Sequence, residues 1–375
     1  MSQALKINKR VLILTTIIVA TATIFWTGSR YPSLDQKAIM GGSTALEDPL
    51  AFEASLQIQP NHNTAQRILY TTVNWVETNL EGMTFGLLIG ACLLTLIGMI
   101  PARGTKNGFL NTMIGAAIGT PLGVCVNCSA PVAKGMHDGG ARLETTLATM
   151  FSSPTLNIVV LTMLFSMFPI YLVGIKLGLT LTFIFILVPL LSRYVFKEER
   201  APTYDDAVCA MPPPSLPDSE SFASALGGTA KMLGKNLGYL VLRTVPLMLL
   251  AGFLGAVVAN VVPLAAIVNH EATFFTVFLI GLIGIFLPVP VAFDIVVVAI
   301  LVAAGAPVIY SMTLLFTLGI FSIYPFFIVW RTISPRVSLV ITAVLVVMGI
   351  AGGYLADYMY EAEMREMMEF LEQES

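Results

Sequence analysis

Cys125 and Cys128 stand three residues apart in the run TPLGVCVNCSAPVAKG, with Asn127 between them and Ser129 immediately after. Paired thiols are soft donors, suited to copper(I), trivalent arsenic or antimony, mercury, or a transported thiol or disulfide. They are metal ligands only if a soft metal is the cargo. The same spacing serves a second chemistry, cycling between dithiol and disulfide to relay electrons. A third reading needs no chemistry: two small buried residues let helices approach closely. A closed zinc cage is disfavoured, because four cysteines (Cys92, Cys125, Cys128, Cys209) and three histidines supply no second pair near the first. No resident cofactor is expected. Ser129 is read as the N-cap of a helix that carries Pro131 in its first turns, pointing its partially positive end at Cys128.

Two further polar groupings interrupt apolar sequence. SSPTLN sets Ser152, Ser153, Pro154 and Asn157 near the centre of one stretch. These residues either line a substrate path, with Asn157 the leading candidate, or bond neighbouring helices, worth typically ~0.6 kcal/mol each. Asp294, in PVAFDIVVV, is an ionisable group at depth and by default a functional hypothesis. It is read as the proton carrier that couples transport to a gradient; the competing readings are a wet outer vestibule or a cap on the next helix. Arg243 is read as snorkelling from near a helix end. No GxxxxGK[ST] loop is present, so energy would come from a gradient.

The elements that must hold these residues are made for lipid. Charged residues make up 11% of the 375 and hydrophobic ones 56%, against about 25% and ~45–50% in ordinary globular proteins. That excludes disorder. A net charge of −3 without a basic cluster argues against nucleic acid. Seven stretches approach the roughly 20 residues that a spanning helix needs: 11–28, 82–100, 143–168, 171–192, 237–262, 308–330 and 337–356. The first follows Lys6, Lys9 and Arg10 and is read as a retained anchor with its amino terminus in the cytoplasm. Two others, 109–137 and 273–304, are cut at Thr120–Val124 and Pro288–Pro290 into pieces too short to span. As re-entrant hairpins they put Arg103, Lys106, Lys134, Arg142, Arg193, Lys197, Arg200, Lys231, Lys235, Arg331 and Arg336 inside. Only Arg30, Lys37, Arg67, Lys176 and Arg365 are left outside, as the positive-inside rule prefers.

An offset of 165 residues lays Gly140 on Gly305, Val124 on Val289, Phe151 on Phe316 and Ser129 on Asp294. Each half then reads span, hairpin, span, span, with the hairpins entering from opposite faces. Inverted repeats with matching broken helices are the pattern of secondary transporters, whose site lies at the midplane between repeats. The expected organisation is an anchor (1–28) and an extracytoplasmic loop with an interfacial helix at 64–80 (29–81), then a first permease repeat (82–192). A cytoplasmic, proline-rich linker holding Cys209 (193–236), a second repeat (237–356) and an acidic amphipathic tail (357–375) follow.

The run CVNCSAPVAKGMHDGGARLETTLATMFSSPTLN resembles the predicted permease family that includes the ArsP organoarsenical permeases and YraQ-like proteins. Closely spaced cysteines, a proline, a basic-glycine step and a proline-broken span ending in Leu-Asn carry the resemblance, although C-x-x-C-Ser stands here for the family's usual C-x-C-Gly. The resemblance implies a polytopic inner-membrane permease with internal duplication and, for the arsenic branch, thiol coordination of trivalent organoarsenicals. The whole is read as an all-α polytopic membrane protein with about seven full spans and two re-entrant hairpins in inverted repeats. It is read as a permease and not an enzyme. Its partners are a small soft or thiol-reactive solute and the lipid bilayer. Cys125, Asn127, Cys128, Ser129, Pro131, Ser152, Ser153, Pro154 and Asn157 surround the solute, and Asp294 couples. The rivals are a membrane thiol–disulfide electron carrier and an assembly partner without a solute.

Overall fold

Apolar sequence punctuated by proline and glycine gives, in a computed structural model, fourteen α-helices and no strand among the described residues, which are 8–32, 48–51, 54–99, 105, 107–196, 220–262 and 272–374. Lys6, Lys37, Arg103, Lys106, Lys197, Arg200 and Cys209 lie outside them, as does most of the proline-rich linker.

The amino-terminal helix α1 (Lys9–Phe25) continues through one π-helical turn to Arg30, and α2 (Thr64–Met99) follows. The interfacial helix expected at 64–80 is the first half of α2, because nothing between Thr64 and Met99 breaks the helix. The boundary drawn at residue 82 therefore falls inside one element.

The first interrupted stretch opens with α3 (Gly108–Gly119), capped by Asn107, whose side chain accepts from Phe109 N and Leu110 N. Pro121 tightens a single 3-10 turn, and Gly123 takes φ +59°, a conformation open to glycine because it lacks a Cβ. The chain turns back into α4 (Val126–Asp138), passes Gly140 at φ +96°, and enters α5 (Leu143–Thr155). Helices α3 and α5 run side by side in one direction: a Cβ on Gly115 would lie 2.3 Å from Thr145 O, and one on Gly119 2.5 Å from Thr149 O. Gly108 faces Glu144. Both mouths of the stretch thus adjoin the start of α5, and the chain leaves by the end at which it entered.

Beyond α5 come α6 (Ile158–Met167) and α7 (Ile170–Thr182), the latter prolonged through a π turn into α8 (Val188–Tyr194). The second half repeats the order with α9 (Phe222–Val261), α10 (Phe274–Phe286), α11 (Phe293–Ala303), α12 (Val308–Thr317), α13 (Ile323–Thr332) and α14 (Pro335–Glu374). The starts of α12, α13 and α14 fall 165 residues after those of α5, α6 and α7, and Gly305, at φ +83°, falls 165 after Gly140. Thr276 near the start of α10 bonds Tyr310 near the start of α12 (2.8 Å), so the second stretch also returns to its own end. The two mouths are far apart. Lys134 near the end of α4 reaches Thr332 at the end of α13, whereas Ile309 beginning α12 packs on Gly353. Gly353 lies 18 residues into α14, about 27 Å from its start at 1.5 Å per residue.

Among the described residues five helices are long and apolar enough to cross a membrane, and α5 with α6, bent by 45°, counts as a sixth when the pair is taken as one span. The spans expected at 143–168 and 308–330 are each two short helices. Pro154 sits in the last turn of the first piece, which ends at Thr155, and Asn157 caps the next, its side chain accepting from Val160 N; Gly319 and Ser322 stand at the corresponding gap. The acidic tail is helical and continuous with the last span.

Candidate functional site

Where a helix breaks inside an apolar protein, its freed carbonyls need donors, because lipid offers none. The two tips are held this way by side chains from elsewhere. At the first tip, Trp26 Nε1 donates to Pro121 O (2.9 Å) and Arg30 Nε donates to Gly123 O (2.7 Å). Arg30 is buried, its guanidinium 4.4 Å above the Phe25 ring, a contact that counting it among the outside charges did not foresee. At the second tip, Trp75 Nε1 donates to Pro288 O and Asn127 Nδ2 donates to Val289 O (3.0 Å). Asn127 belongs to the first tip, so the tips touch. Ser322, in the gap between α12 and α13, completes the junction by donating to Asn127 Oδ1 (2.8 Å).

The cysteines sit at that junction. Cys125, and not Ser129, is the N-cap of α4: its sulfur accepts from Cys128 N at 3.1 Å, while Ser129 Oγ, one turn into the helix, donates to Val126 O. Gly123 resets the chain direction two residues before Cys125, so the helix begins earlier than the proline at 131 indicated. Cys125 and Cys128 form a disulfide, both sulfur residues being almost wholly buried. Asn79 Oδ1 lies 3.7 Å from Cys125 Sγ, where it would accept from the thiol in the reduced protein.

Close approach of α2 is what buries them. A Cβ on Gly82 would stand 2.6 Å from Cys128 Sγ, one on Gly86 2.3 Å from Cys128 O, and one on Gly90 2.6 Å from Pro131 O. Three glycines spaced by four form one helix face, the small-residue pattern by which membrane helices pack without a hydrophobic driving force. That spacing was readable in the sequence and was missed.

The serine-proline break closes over the same tip. Val124 N donates to Ser153 Oγ (3.3 Å), and a Cβ on Gly119 would stand 2.2 Å from Ser152 Oγ. Asn157 is occupied locally, donating to Ser153 O (2.7 Å) and accepting from Val160 N (3.1 Å). Pro131 and Pro154 lie inside their helices near the break.

Asp294 is buried in the first turn of α11 and paired with Lys176 of α7, Nζ to Oδ2 2.5 Å. A Cβ on Gly319 would stand 2.3 Å from Asp294 Oδ2, so the carboxylate also rests on the second break. Lys176 was counted among outer charges; it is buried, and its position inside an otherwise apolar helix was the signal. Among the described residues no group of three His, Cys, Asp or Glu is placed to hold a metal ion.

A family model described as "Predicted permease" matches residues 65–358. The UPF0718 protein YraQ of Escherichia coli (strain K12) is 25% identical over 281 residues, which span 74% of this chain and 77% of that protein. No solved structure matches the chain.

Proposed function

The chain belongs to the predicted permease family, and on that premise we propose that it carries a small soft or thiol-reactive solute through a midplane site between two inverted repeats. Its membrane-spanning, all-helical build fits a transporter whose substrates are small solutes. The observation that carries the finer reading is the tip-to-tip junction: two broken stretches with mouths about 27 Å apart along α14 meet through Asn127 and Val289 beside the cysteine pair. Discontinuous helices meeting at mid-depth from opposite faces are how alternating-access carriers build their sites.

In this reading the reduced pair binds and the disulfide is the closed, non-binding form. A trivalent organoarsenical bearing two hydroxyls would exchange both for sulfur: two As–S bonds form, two As–O bonds break, and each thiol proton leaves with a hydroxide as water. The solute is released by the reverse exchange. Ser129, Pro131, Ser152, Ser153, Pro154 and Asn157 shape the wall around it, and Asn127 holds the second tip. Asp294 is the coupling group. Protonating it would release Lys176, and with it the hold of α7 on the second tip. In the same reading the protein is an inner-membrane permease with its amino terminus in the cytoplasm, an orientation that the lysine and arginine bias of its loops supports.

Uptake of methylarsenite, copper(I) and a small thiol into everted vesicles tests the reading. Wild type should accumulate at least one under reducing conditions, and Cys125→Ala none. Transport of none, or equal transport by the variant, overturns it. The disulfide favours one rival, an electron carrier that cycles Cys125 and Cys128. Near-complete burial of both opposes it, since a carrier must meet a soluble thiol partner. A mixed disulfide trapped in Cys128→Ser would support the rival.

A further inference from the structure

At the end of the bundle where α4 and α13 finish, a cavity of about 260 Å³ is lined by Lys134, Arg243, Leu247, Ile328, Arg331 and Thr332. Three of the six carry positive charge. Lys134 is partly neutralised by Asp138 (2.9 Å) and further held by Tyr239 Oη (3.3 Å) and Thr332 Oγ1 (3.4 Å). Arg243 and Arg331 form no ion pair with any described residue; Arg243 stands 5.9 Å from the Tyr239 ring. One carboxylate thus answers three cations around a concave space. Both arginines are exposed at this end of the bundle, so their guanidinium groups are open to an anion from water or from a headgroup layer.

We infer that this cavity binds a phosphate-bearing anion, seated between Arg243 and Arg331 with Lys134 at its floor. Guanidinium groups match phosphate oxygens bidentately, whereas the lysine acts as a point charge. Helix α9, which lines the cavity with Arg243 and Leu247, exposes Leu242, Leu249 and Phe253 on another flank, and basic pockets between spanning helices are where anionic headgroups settle. The phosphate can come from a lipid or from a free ion, and the seat is the same. Because Lys134 belongs to the half-helix that carries the cysteines, occupancy would brace that hairpin.

The test is the melting temperature of the full-length protein in nanodiscs of phosphatidylcholine, with and without phosphatidylglycerol, and with inorganic phosphate against chloride at equal ionic strength. Phosphatidylglycerol, phosphate or both should raise the melting temperature of wild type and equally that of Arg365→Gln, a distant exposed cation. Arg243→Gln/Arg331→Gln should lose the rise, each single variant should keep part of it, and Arg243→Lys/Arg331→Lys should keep more than the glutamine pair. A rise with lipid alone identifies the headgroup as the source, and one with phosphate alone identifies the free anion. No rise with either in wild type, or a full rise in the double and single glutamine variants, overturns the inference. The readout is binding, so its failure is separate from a failure of solute transport.

Discussion

Lys176 and Asp294 form a buried ion pair, each side chain almost wholly enclosed. Removing one partner of such a pair strands the other charge, a loss typically of about 3–5 kcal/mol, while replacing both with apolar residues of similar size is often neutral. Lys176→Met alone should therefore unfold at a markedly lower temperature than wild type, and Lys176→Met/Asp294→Leu should recover most of the loss, as measured by thermal melting in detergent. If Asp294 couples transport, the double variant should regain stability and still fail to concentrate solute against a gradient. Full recovery of both would reduce the pair to a structural one. The cysteines give a second prediction at this scale. Oxidation closes the pair as the disulfide and leaves no thiol to bind a soft solute, so solute uptake should fall on treatment with a thiol oxidant and return with reductant. Cys92 is the control: it is buried apart from the tips, and Cys92→Ala should leave that response unchanged. Of these residues the sequence made the cysteines and Asp294 legible, because a CxxC and a lone carboxylate stand out in apolar context. It hid their partners. Lys176 and Arg30 read as topological charges, since the positive-inside rule counts a cation without saying what it touches.

Helix α2 owes its contact with the cysteine-bearing half-helix to Gly82, Gly86 and Gly90. A methyl at Gly86 would stand 2.3 Å from the carbonyl of Cys128, a backbone atom that cannot swing aside. Gly86→Ala should push α4 off α2 and expose the pair, seen as faster maleimide labelling of Cys125 and Cys128 after reduction. Gly98→Ala, with open space around its Cβ position, should label like wild type. Helix α1 lies outside the stretch matched by the family model yet supplies Trp26 and Arg30 to the first tip. Its other end is tied by Arg10 to Glu220, Oε2 at 2.8 Å. The guanidinium holds the Glu220 carboxyl below the usual carboxylate range, the hydrogen bond being the largest cause. A depressed carboxylate pKa contributes stability above its unfolded value, about 4.5, and loses it as pH falls through the folded one. Distance measurements between labels at Val11 and Ser224 should widen on acidification below that range and should be insensitive to pH in Glu220→Gln. Element types and the two tips were legible here because proline and glycine punctuate so strongly. The extent of α2 was not: Leu69, Val73, Val76 and Leu80 look interfacial until the unbroken run to Met99 is taken with them. The break at Pro154 was noticed as a polar insertion but not as a helix end, since a proline in an apolar span more often kinks a helix than stops it.

At the scale of the whole molecule, a repeat offset of 165 residues, readable from a handful of identities, relates the starts of α12, α13 and α14 to those of α5, α6 and α7. The order of elements was therefore legible while their contacts were not. Which side chain satisfies a broken tip depends on meetings between residues 95, 93 and 162 positions apart, and no local pattern encodes those. The transport reading stands on the opposite entry of the two hairpins, and sided labelling with a membrane-impermeant maleimide tests it most directly. In a background carrying Cys209→Ser, single substitutions Asn107→Cys and Arg142→Cys mark the mouth of the first hairpin, and Thr273→Cys and Ala304→Cys that of the second. Asn107→Cys and Arg142→Cys should both label from the cytoplasmic face only, and Thr273→Cys and Ala304→Cys from the opposite face only. Labelling of all four from one face, or of the two ends of either stretch from different faces, would contradict the account.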